Sequence, residues 1–404
     1  MAHLRSDRPL PFDELDAVLR QAGLTHRPVG VVDLDAFEDN IAAMRRRTGG
    51  LPIRVATKSL RVRSLISTAE AAEGYSGLLC FTLDEALWLH SRGHQDIVVA
   101  YPTADTAAIQ RLAQHDSARA AITLMVDSRP HLDLIETAIG AASSSTAPIR
   151  VAIDMDVAYQ PLKGLHIGAL RSPLRTPEDM LGLAREISRR PALRLVGIMA
   201  YEGQIAGVGN LGPRRAVVRL MQRASSQEIL HRRGAAVRAV AGEFDLEFVN
   251  GGGTGSIETT SQDPVITEIG AGSGLLASAL FDEYSAFTPR PALFFGFTVV
   301  RRPAPKVATI TGGGIIASGV PGPDRLPRVV HPAGLRFSRQ EGAGEVQSPV
   351  VGEAAEHLRV GDTVWLRCAK AGEPAERFSQ YALVRGTEVV DVVPTYRGEH
   401  QLFL

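Results

Sequence analysis

Residues 53–57 read Ile-Arg-Val-Ala-Thr, a short apolar run followed by a segment of helical character. Seven similar runs come after it, at residues 77–81, 96–100, 121–126, 149–154, 195–200, 246–249 and 265–269. Apolar runs that alternate with helical segments are typical of parallel strands buried on both faces. Eight such repeats in roughly 230 residues predict an α/β fold, a (β/α)8 TIM barrel. A doubly wound open sheet is the alternative.

The character of the sequence changes after about residue 286. Strand-like pieces interrupted by Pro and Gly follow, at residues 294–300, 307–311, 362–367, 381–384 and 388–392. They predict a second, all-β domain at the C-terminus. A stretch at 317–345 is rich in Gly, Pro and Arg, and we expect an irregular loop there.

The N-terminal third adds one more strand-like run, at 29–34, before a helix that begins near Asp35. Its position ahead of the eight repeats predicts that it lies outside the barrel. The predicted organisation is a segment 1–28 that packs on the β domain, a barrel domain 29–285 and a β domain 286–404.

Composition excludes several partner classes. Forty-four Lys and Arg balance 44 Asp and Glu, so no overall field attracts nucleic acid or an anionic membrane. No stretch approaches the ~18 apolar residues of a membrane span, and the start has no signal-peptide pattern. Cys80 and Cys368 are far apart, and the apolar run around Cys80 favours buried, reduced thiols over a disulfide. We expect a cytoplasmic protein that acts on a small molecule.

Lys58 comes directly after the first predicted strand. This position puts its amine at the C-terminal mouth of the barrel, where TIM-barrel active sites assemble. A lysine there can attack an aldehyde, and Arg61 and Arg63 nearby would favour its neutral form. A solvated lysine in a basic loop is the alternative for Lys58 taken alone.

Glycine-rich loops follow the last two predicted strands. The first loop supplies Gly251, Gly252, Gly253, Thr254 and Gly255, and the second supplies Gly272, Ser273 and Gly274. Barrels often bind phosphate in these two loops, through backbone N–H groups and hydroxyls. A phosphate site that faces a lysine across one barrel mouth predicts bound pyridoxal 5′-phosphate (PLP).

Longer motifs carry a resemblance to a known family. They are Val31-Val-Asp-Leu-Asp35, Arg54-Val-Ala-Thr-Lys58, Gly197-Ile-Met-Ala-Tyr-Glu-Gly203, Phe248-Val-Asn-Gly-Gly-Gly-Thr-Gly255 and Glu268-Ile-Gly-Ala-Gly-Ser-Gly274. In this order they resemble the fold-type III PLP enzymes, the alanine racemase-like barrel, in the D-threonine aldolase and D-serine dehydratase branch. Tyr101-Pro-Thr-Ala-Asp105 and Pro394-Thr-Tyr-Arg-Gly398 are similar to a bacterial group called amino acid deaminase/aldolase.

The resemblance implies roles for individual residues. Lys58 matches the Schiff-base lysine, and Tyr201 matches the tyrosine of the aldolase motif Ala-Tyr-His-Gly, with Glu202 in place of the histidine. A packed core tyrosine is the alternative for Tyr201. His166 is a candidate base, with a solvated loop histidine as the equal alternative. Arg171, Gln204 and Glu345 are candidate substrate-binding residues.

Several positions depart from the family pattern. The branch holds a divalent metal with a His followed two residues later by Cys or Asp, but Cys368 and Lys370 stand at those positions. An ammonium repels a cation, so we predict no zinc site of the family type and treat Lys370 as a substitute acid or base. Gln160 and Leu276 also differ from the arginine and tyrosine of many relatives.

These features predict a PLP-dependent lyase that acts on a D-3-hydroxy amino acid through a Lys58 Schiff base. The reaction is either retro-aldol cleavage or dehydration with deamination. The alternatives are an amino acid racemase or epimerase, with Tyr284 or Tyr396 of a second subunit as the other base, and a non-catalytic PLP-binding protein. The resemblance also implies a homodimer, with residues 317–373 near the partner's barrel mouth.

Overall fold

The structure is a computed structural model that describes residues 10–140 and 147–404. Its strands in chain order are β1 (Val29–Asp33), β2 (Ile53–Ala56), β3 (Tyr75–Cys80), β4 (Ile97–Val99), β5 (Ile122–Val126), β6 (Ile149–Asp154), β7 (Tyr159–Leu162), β8 (Leu165–Ile167), β9 (Leu193–Ala200), β10 (Phe248–Gly251), β11 (Glu268–Ala271), β12 (Leu293–Ala304), β13 (Val307–Thr311), β14 (Arg328–His331), β15 (Arg336–Phe337), β16 (Gln347–Val351), β17 (Thr363–Arg367), β18 (Gln380–Arg385) and β19 (Glu388–Pro394). Its helices are α1 (Phe12–Gln21), α2 (Leu34–Arg47), α3 (Arg63–Glu70), α4 (Leu83–Ser91), α5 (Thr106–Ala113), α6 (Asp116–Ala121), α7 (Arg129–Ile139), α8 (Pro177–Ser188), α9 (Gly203–Ala206), α10 (Arg215–Ala241), α11 (Ile257–Thr260) and α12 (Ser273–Leu276).

Eight parallel strands close into a barrel in the order β2-β3-β4-β5-β6-β9-β10-β11, and β11 pairs with β2. Each of the eight apolar runs overlaps one of these strands, the last two by only two residues, so the predicted TIM barrel is confirmed and the open sheet is excluded. The strands are almost wholly buried because helices cover their outer faces and side chains fill the interior. Their C-terminal ends therefore converge on one mouth.

A nine-stranded β sheet forms the C-terminal part of the chain, as predicted. Strand β1 lies in the middle of this sheet, antiparallel to β12 and parallel to β18. The run at 29–34 is thus outside the barrel, although it falls within the range 29–285 predicted for the barrel domain. Helix α1 shares a buried apolar cluster with the sheet, where Phe12 meets Phe294 edge-on at 5.0 Å. The domain limits along the chain remain predictions.

The stretch at 317–345 is more regular than expected. It contains the short strands β14 and β15, and β16 follows directly after it. Strand β14 pairs with β17, and β16 joins β15 to β13. The sequence hides these strands because β14 is half-exposed throughout and β16 contains Pro349, which interrupts a strand pattern. In the described part of the chain, no helix is long and apolar enough to cross a membrane.

A buried ion pair crosses the seam where the first and last barrel strands meet. Arg54 of β2 donates to Glu268 of β11 through two hydrogen bonds, Nε to Oε1 at 2.7 Å and Nη2 to Oε2 at 2.8 Å. Their side chains are only 3% and 9% exposed. Asn250 also donates to Glu268 at 2.8 Å, and Arg54 reaches the carbonyl of Asp96. The charges stabilise the barrel only as long as both partners are present.

Replacing one partner of this ion pair should lower the free energy of unfolding more than replacing both. Glu268→Leu leaves the buried guanidinium of Arg54 with only the half-exposed carboxylate of Asp96, 3.0 Å away, and should lower the free energy of unfolding by about 3 kcal/mol. The double variant Arg54→Met/Glu268→Leu removes both charges and should recover part of that loss. Urea unfolding followed by tryptophan fluorescence measures both. A double variant less stable than the single one would contradict this account of the seam.

Candidate active site

Two adjoining cavities lie at the barrel mouth. The inner one, of about 110 Å³, is lined by Lys58, Tyr101, Arg171, Tyr201 and the two glycine-rich loops. The outer one, of about 920 Å³, shares Lys58, Tyr101 and Tyr201 with it and extends to the β-sheet region at Ser318 and Lys370. A small molecule would therefore pass through the wider outer cavity to reach Lys58.

The backbone around Lys58 is held from two sides. A single 3₁₀ turn, Thr57–Ser59, follows β2 and directs Lys58 into the cavity. The loop after β17 packs so tightly on this turn that a Cβ at Gly372 would lie 1.8 Å from the carbonyl oxygen of Lys58. Only glycine fits there, and the β-sheet region therefore buttresses the lysine of the barrel in the same chain.

Glu85 holds the end of β3 through a hydrogen bond to the residue that follows this strand. Its carboxylate accepts hydrogen bonds from the backbone N–H of Phe81 at 2.7 Å and from the hydroxyl of Tyr396 at 2.8 Å. Burial raises the pKa of Glu85 to about 7 although these donors favour the charged form. Sequence analysis did not single out Glu85, whose position in the first turn of α4 looks like an ordinary helix cap.

The two glycine-rich loops meet beside Lys58. Gly252, Gly253, Thr254, Gly272 and Ser273 line the inner cavity. The hydroxyl of Thr254 joins the loops, since it accepts from the N–H of Gly274 at 3.0 Å and from the Ser273 hydroxyl at 3.2 Å. A Cβ at Gly272 would lie 2.3 Å from the carbonyl oxygen of Ala56, the last residue of β2.

The other predicted loop glycines pack rather than line the cavity. A Cβ at Gly255 would lie 2.3 Å from the carbonyl oxygen of Ala206, and one at Gly251 would meet Ile266 and Arg233. Glu202, which replaces the family histidine, accepts from the N–H of Gly252 at 3.0 Å and from the Thr260 hydroxyl. Its carboxylate therefore holds the first glycine loop in position.

Tyr101, Arg171 and Tyr201 form a cluster opposite the glycine loops. The Arg171 guanidinium carbon is 5.2 Å from the ring centre of Tyr101 and 5.3 Å from that of Tyr201. Among the described residues, Arg171 has no hydrogen-bond or ion-pair partner. Burial raises the pKa of Tyr201 to about 12, so its phenol stays protonated and can donate. Burial also raises the pKa of nearby Asp154 to about 7, against the charge of Arg171.

Lys370 lines the outer cavity only. Its Nζ donates to the hydroxyl of Ser318 at 2.9 Å and lies 3.3 Å from a carboxylate oxygen of Glu373. Tyr284 borders the same cavity, but its hydroxyl donates to the carbonyl of Ala206. Tyr284 and Tyr396 are both buried with partners in their own chain.

Three predicted site residues do not line either cavity. His166 lies in the β7–β8 hairpin, with Nε2 3.6 Å from a carboxylate oxygen of Asp156. Gln204 is buried and donates to the carbonyl of Val157 and the hydroxyl of Ser225. Glu345 is exposed just before β16. Their predicted roles remain predictions, without support from contacts within this chain.

The positions that depart from the family pattern have ordinary packing. Cys368 is buried outside both cavities, and burial raises the pKa of its thiol. Leu276 is fully buried in α12, and Gln160 is exposed in β7. Within residues 10–140 and 147–404, no group of three or more His, Cys, Asp and Glu is arranged to hold a metal ion. The predicted lack of a family-type zinc site at Cys368 and Lys370 stays a prediction.

Tyr101 is the cavity residue that sequence analysis missed as a functional side chain. The Nζ of Lys58 donates to its hydroxyl at 2.7 Å. The sequence does contain a signal for Tyr101, because Tyr101 follows the third apolar run as Lys58 follows the first. The motif Tyr101-Pro-Thr-Ala-Asp105 entered the sequence analysis only through the family resemblance.

Comparison with known proteins adds the family. The family described as alanine racemase, N-terminal domain, matches residues 32–257, which is more than half of the chain. The chain belongs to this family. The 3-hydroxy-D-aspartate aldolase of Paracoccus denitrificans is 29% identical over 251 residues, 61% of this chain and 59% of that protein. The D-threonine aldolase of an Arthrobacter species is 28% identical over 296 residues, 71% of each chain.

Solved structures agree with the alanine racemase-like fold. D-threonine aldolase from Filomicrobium marinum superposes with a TM-score of 0.77 at 20% identity, covering 92% of this chain and 95% of that one. D-threo-3-hydroxyaspartate dehydratase from Delftia sp. HT23 has a TM-score of 0.69 at 21% identity, covering 92% and 97%. The predicted family and fold are confirmed.

The tight contact at Gly272 yields a prediction about PLP affinity. Gly272→Ala should push the second glycine loop away from Ala56 and weaken PLP binding by about tenfold or more, or about 1.4 kcal/mol. Gly212→Ala is the matched control, since a Cβ there meets only a side-chain oxygen at 3.8 Å. Equilibrium titration of both variants with PLP measures the effect. Equal affinities would show that this loop does not hold the cofactor.

Proposed function

We propose that this protein is a PLP-dependent lyase that acts on a D-3-hydroxy amino acid, with Lys58 as the cofactor lysine. The observation that carries the proposal is the opening of Lys58 and both glycine loops into one cavity. The named aldolase and dehydratase relatives support the reaction class. The first of these relatives is matched over 59% of its length, so its substrate is only a guide.

The residues present fit PLP. Gly252, Gly253 and Gly272 leave room for a phosphate, and Thr254 and Ser273 add hydroxyls beside it. Lys58 would hold the cofactor aldehyde. When bound, PLP accepts the electron pair left behind as a bond to the substrate Cα breaks.

The remaining side chains can bind the substrate and move protons. Arg171 lines the cavity and makes no hydrogen bond or ion pair with the described residues, so its guanidinium is available to a substrate carboxylate. Tyr201 can donate a hydrogen bond from a phenol that remains protonated. Lys370, at the outer cavity, is suited to act on the substrate hydroxyl, which needs a base for aldol cleavage or an acid for dehydration.

The wider proposal includes a cytoplasmic homodimer that needs no zinc. The partner subunit would lie near the outer cavity with residues 317–373, although Ser318 and Lys370 of that range line the outer cavity of their own chain. The homodimer and the lack of zinc rest on the family resemblance and the sequence, not on contacts within one chain. Chelator treatment tests the metal, because activity should survive it after PLP is restored.

Loss of Lys58 should abolish turnover. Lys58→Met should lower the rate by roughly 10³-fold or more, the scale of losing a reacting group. Lys163→Met is the control, since Lys163 is exposed in the β7–β8 turn. The assay offers D-threonine, D-serine and D-3-hydroxyaspartate to the PLP-loaded protein. Formation of glycine and an aldehyde indicates cleavage, and formation of ammonia and a keto acid indicates dehydration. If the only product is the other stereoisomer of the amino acid offered, the protein is not a lyase.

Arg171 should control substrate affinity more than chemistry. Arg171→Gln removes a charge-assisted contact and should raise KM about tenfold to a hundredfold. Arg171→Lys keeps the charge without the planar fork and should lose less. Steady-state kinetics separates KM from kcat. An unchanged KM in the glutamine variant would rule out a carboxylate contact.

A further inference from the structure

Lys58 and Tyr101 form a hydrogen-bonded pair at the mouth of the barrel. Tyr101 lies two residues after the end of β4, and Lys58 lies two residues after the end of β2. Strand β3 lies between β2 and β4, so the rigid barrel sets the spacing of these two side chains. The Nζ of Lys58 donates to the Tyr101 hydroxyl at 2.7 Å, and both atoms face the inner cavity.

Four charged or titratable groups face Tyr101 from the surrounding elements. They are Lys58, Arg171, Asp154 and Tyr201. Burial alone would raise the pKa of the Tyr101 phenol. The charge and hydrogen bond of Lys58, together with the charge of Arg171, outweigh burial and Asp154, so this pKa lies below its usual value.

Tyr201 provides an internal comparison. Arg171 lies at nearly the same distance from both rings. Tyr201 makes no hydrogen bond to the Lys58 amine in the described structure, and burial raises the pKa of Tyr201 to about 12. The difference between the two phenols therefore comes largely from Lys58.

We propose that Tyr101 is a catalytic residue that exchanges a proton with Lys58 Nζ. This inference rests on the proposed function, in which Lys58 reacts with an aldehyde and must be a neutral amine to do so. In the exchange an N–H bond of the Lys58 ammonium breaks and an O–H bond forms on the Tyr101 phenolate. Ammonium and phenolate become amine and phenol, so charge and atoms balance. The reverse transfer restores the ammonium.

The exchange keeps the proton next to the reacting nitrogen. A lysine alone would have to release its proton to solvent before attack and recover it later. The Tyr101 oxygen, 2.7 Å from Lys58 Nζ, is close enough to take that proton directly. The Tyr101 phenol can also donate a proton to the aldehyde oxygen, which leaves as water when Lys58 becomes linked to the aldehyde carbon.

Cofactor-free protein offers a direct test of the pairing. Phenolate absorbance is titrated against pH in the wild type and in Tyr101→Phe, Tyr201→Phe and Lys58→Met. The wild type should show a phenolate that forms at a lower pH than an ordinary tyrosine. This step should be lost in Tyr101→Phe and kept in Tyr201→Phe. In Lys58→Met it should move to higher pH although Tyr101 remains. An unchanged titration in Lys58→Met would overturn the pairing.

The rate of PLP attachment tests the catalytic role. Borohydride is used to trap the adduct on Lys58 at a series of pH values. Tyr101→Phe should slow attachment by about tenfold or more and remove the part of the pH dependence of the rate that comes from the Tyr101 phenol. A wild-type rate and profile in that variant would overturn the proposal. If the wild type itself forms no adduct on Lys58, the proposed function fails, while the phenolate titration still reports on the pair.

Discussion

Closure of the barrel between β11 and β2 is the constraint on which the site depends. That pairing brings the loop after the last strand against the end of the first, so closely that Gly272 has no room for a Cβ beside Ala56. Lys58 lies two residues beyond Ala56. The Lys58 amine and the glycine loops therefore line one cavity because the eighth strand pairs with the first, and the Arg54–Glu268 ion pair crosses the same seam.

The β-sheet region completes the positioning of the lysine. Gly372 lies against the carbonyl of Lys58, and the hydroxyl of Tyr396 reaches Glu85 below Phe81. Strand β1 joins the two parts, since it lies within the sheet and leads directly into α2 of the barrel. The geometry of the mouth thus depends on both halves of one chain, even before any second subunit is considered.

The sequence predicted the barrel well because each barrel strand overlaps a short, largely apolar run. The same reasoning located Lys58 and both glycine loops, since residues at strand ends share one mouth. It failed for β14 and β16, where half-exposed residues and Pro349 leave no regular pattern. His166 and Gln204 do not line either cavity of this chain, and their roles stay predictions. Their contacts with Asp156, Val157 and Ser225 depend on how the segment after β6 folds back, which spacing along the chain does not reveal.

The central claim is that Lys58 is the residue that binds PLP covalently. The chain has four lysines, Lys58, Lys163, Lys306 and Lys370, so the attachment site can be identified without ambiguity. The decisive measurement is borohydride reduction of the PLP-incubated protein, followed by peptide mapping by mass spectrometry. A pyridoxyl group on the peptide containing Lys58, absent in Lys58→Met, is the predicted result. Modification at Lys370 instead, or no modification at all, would contradict the account.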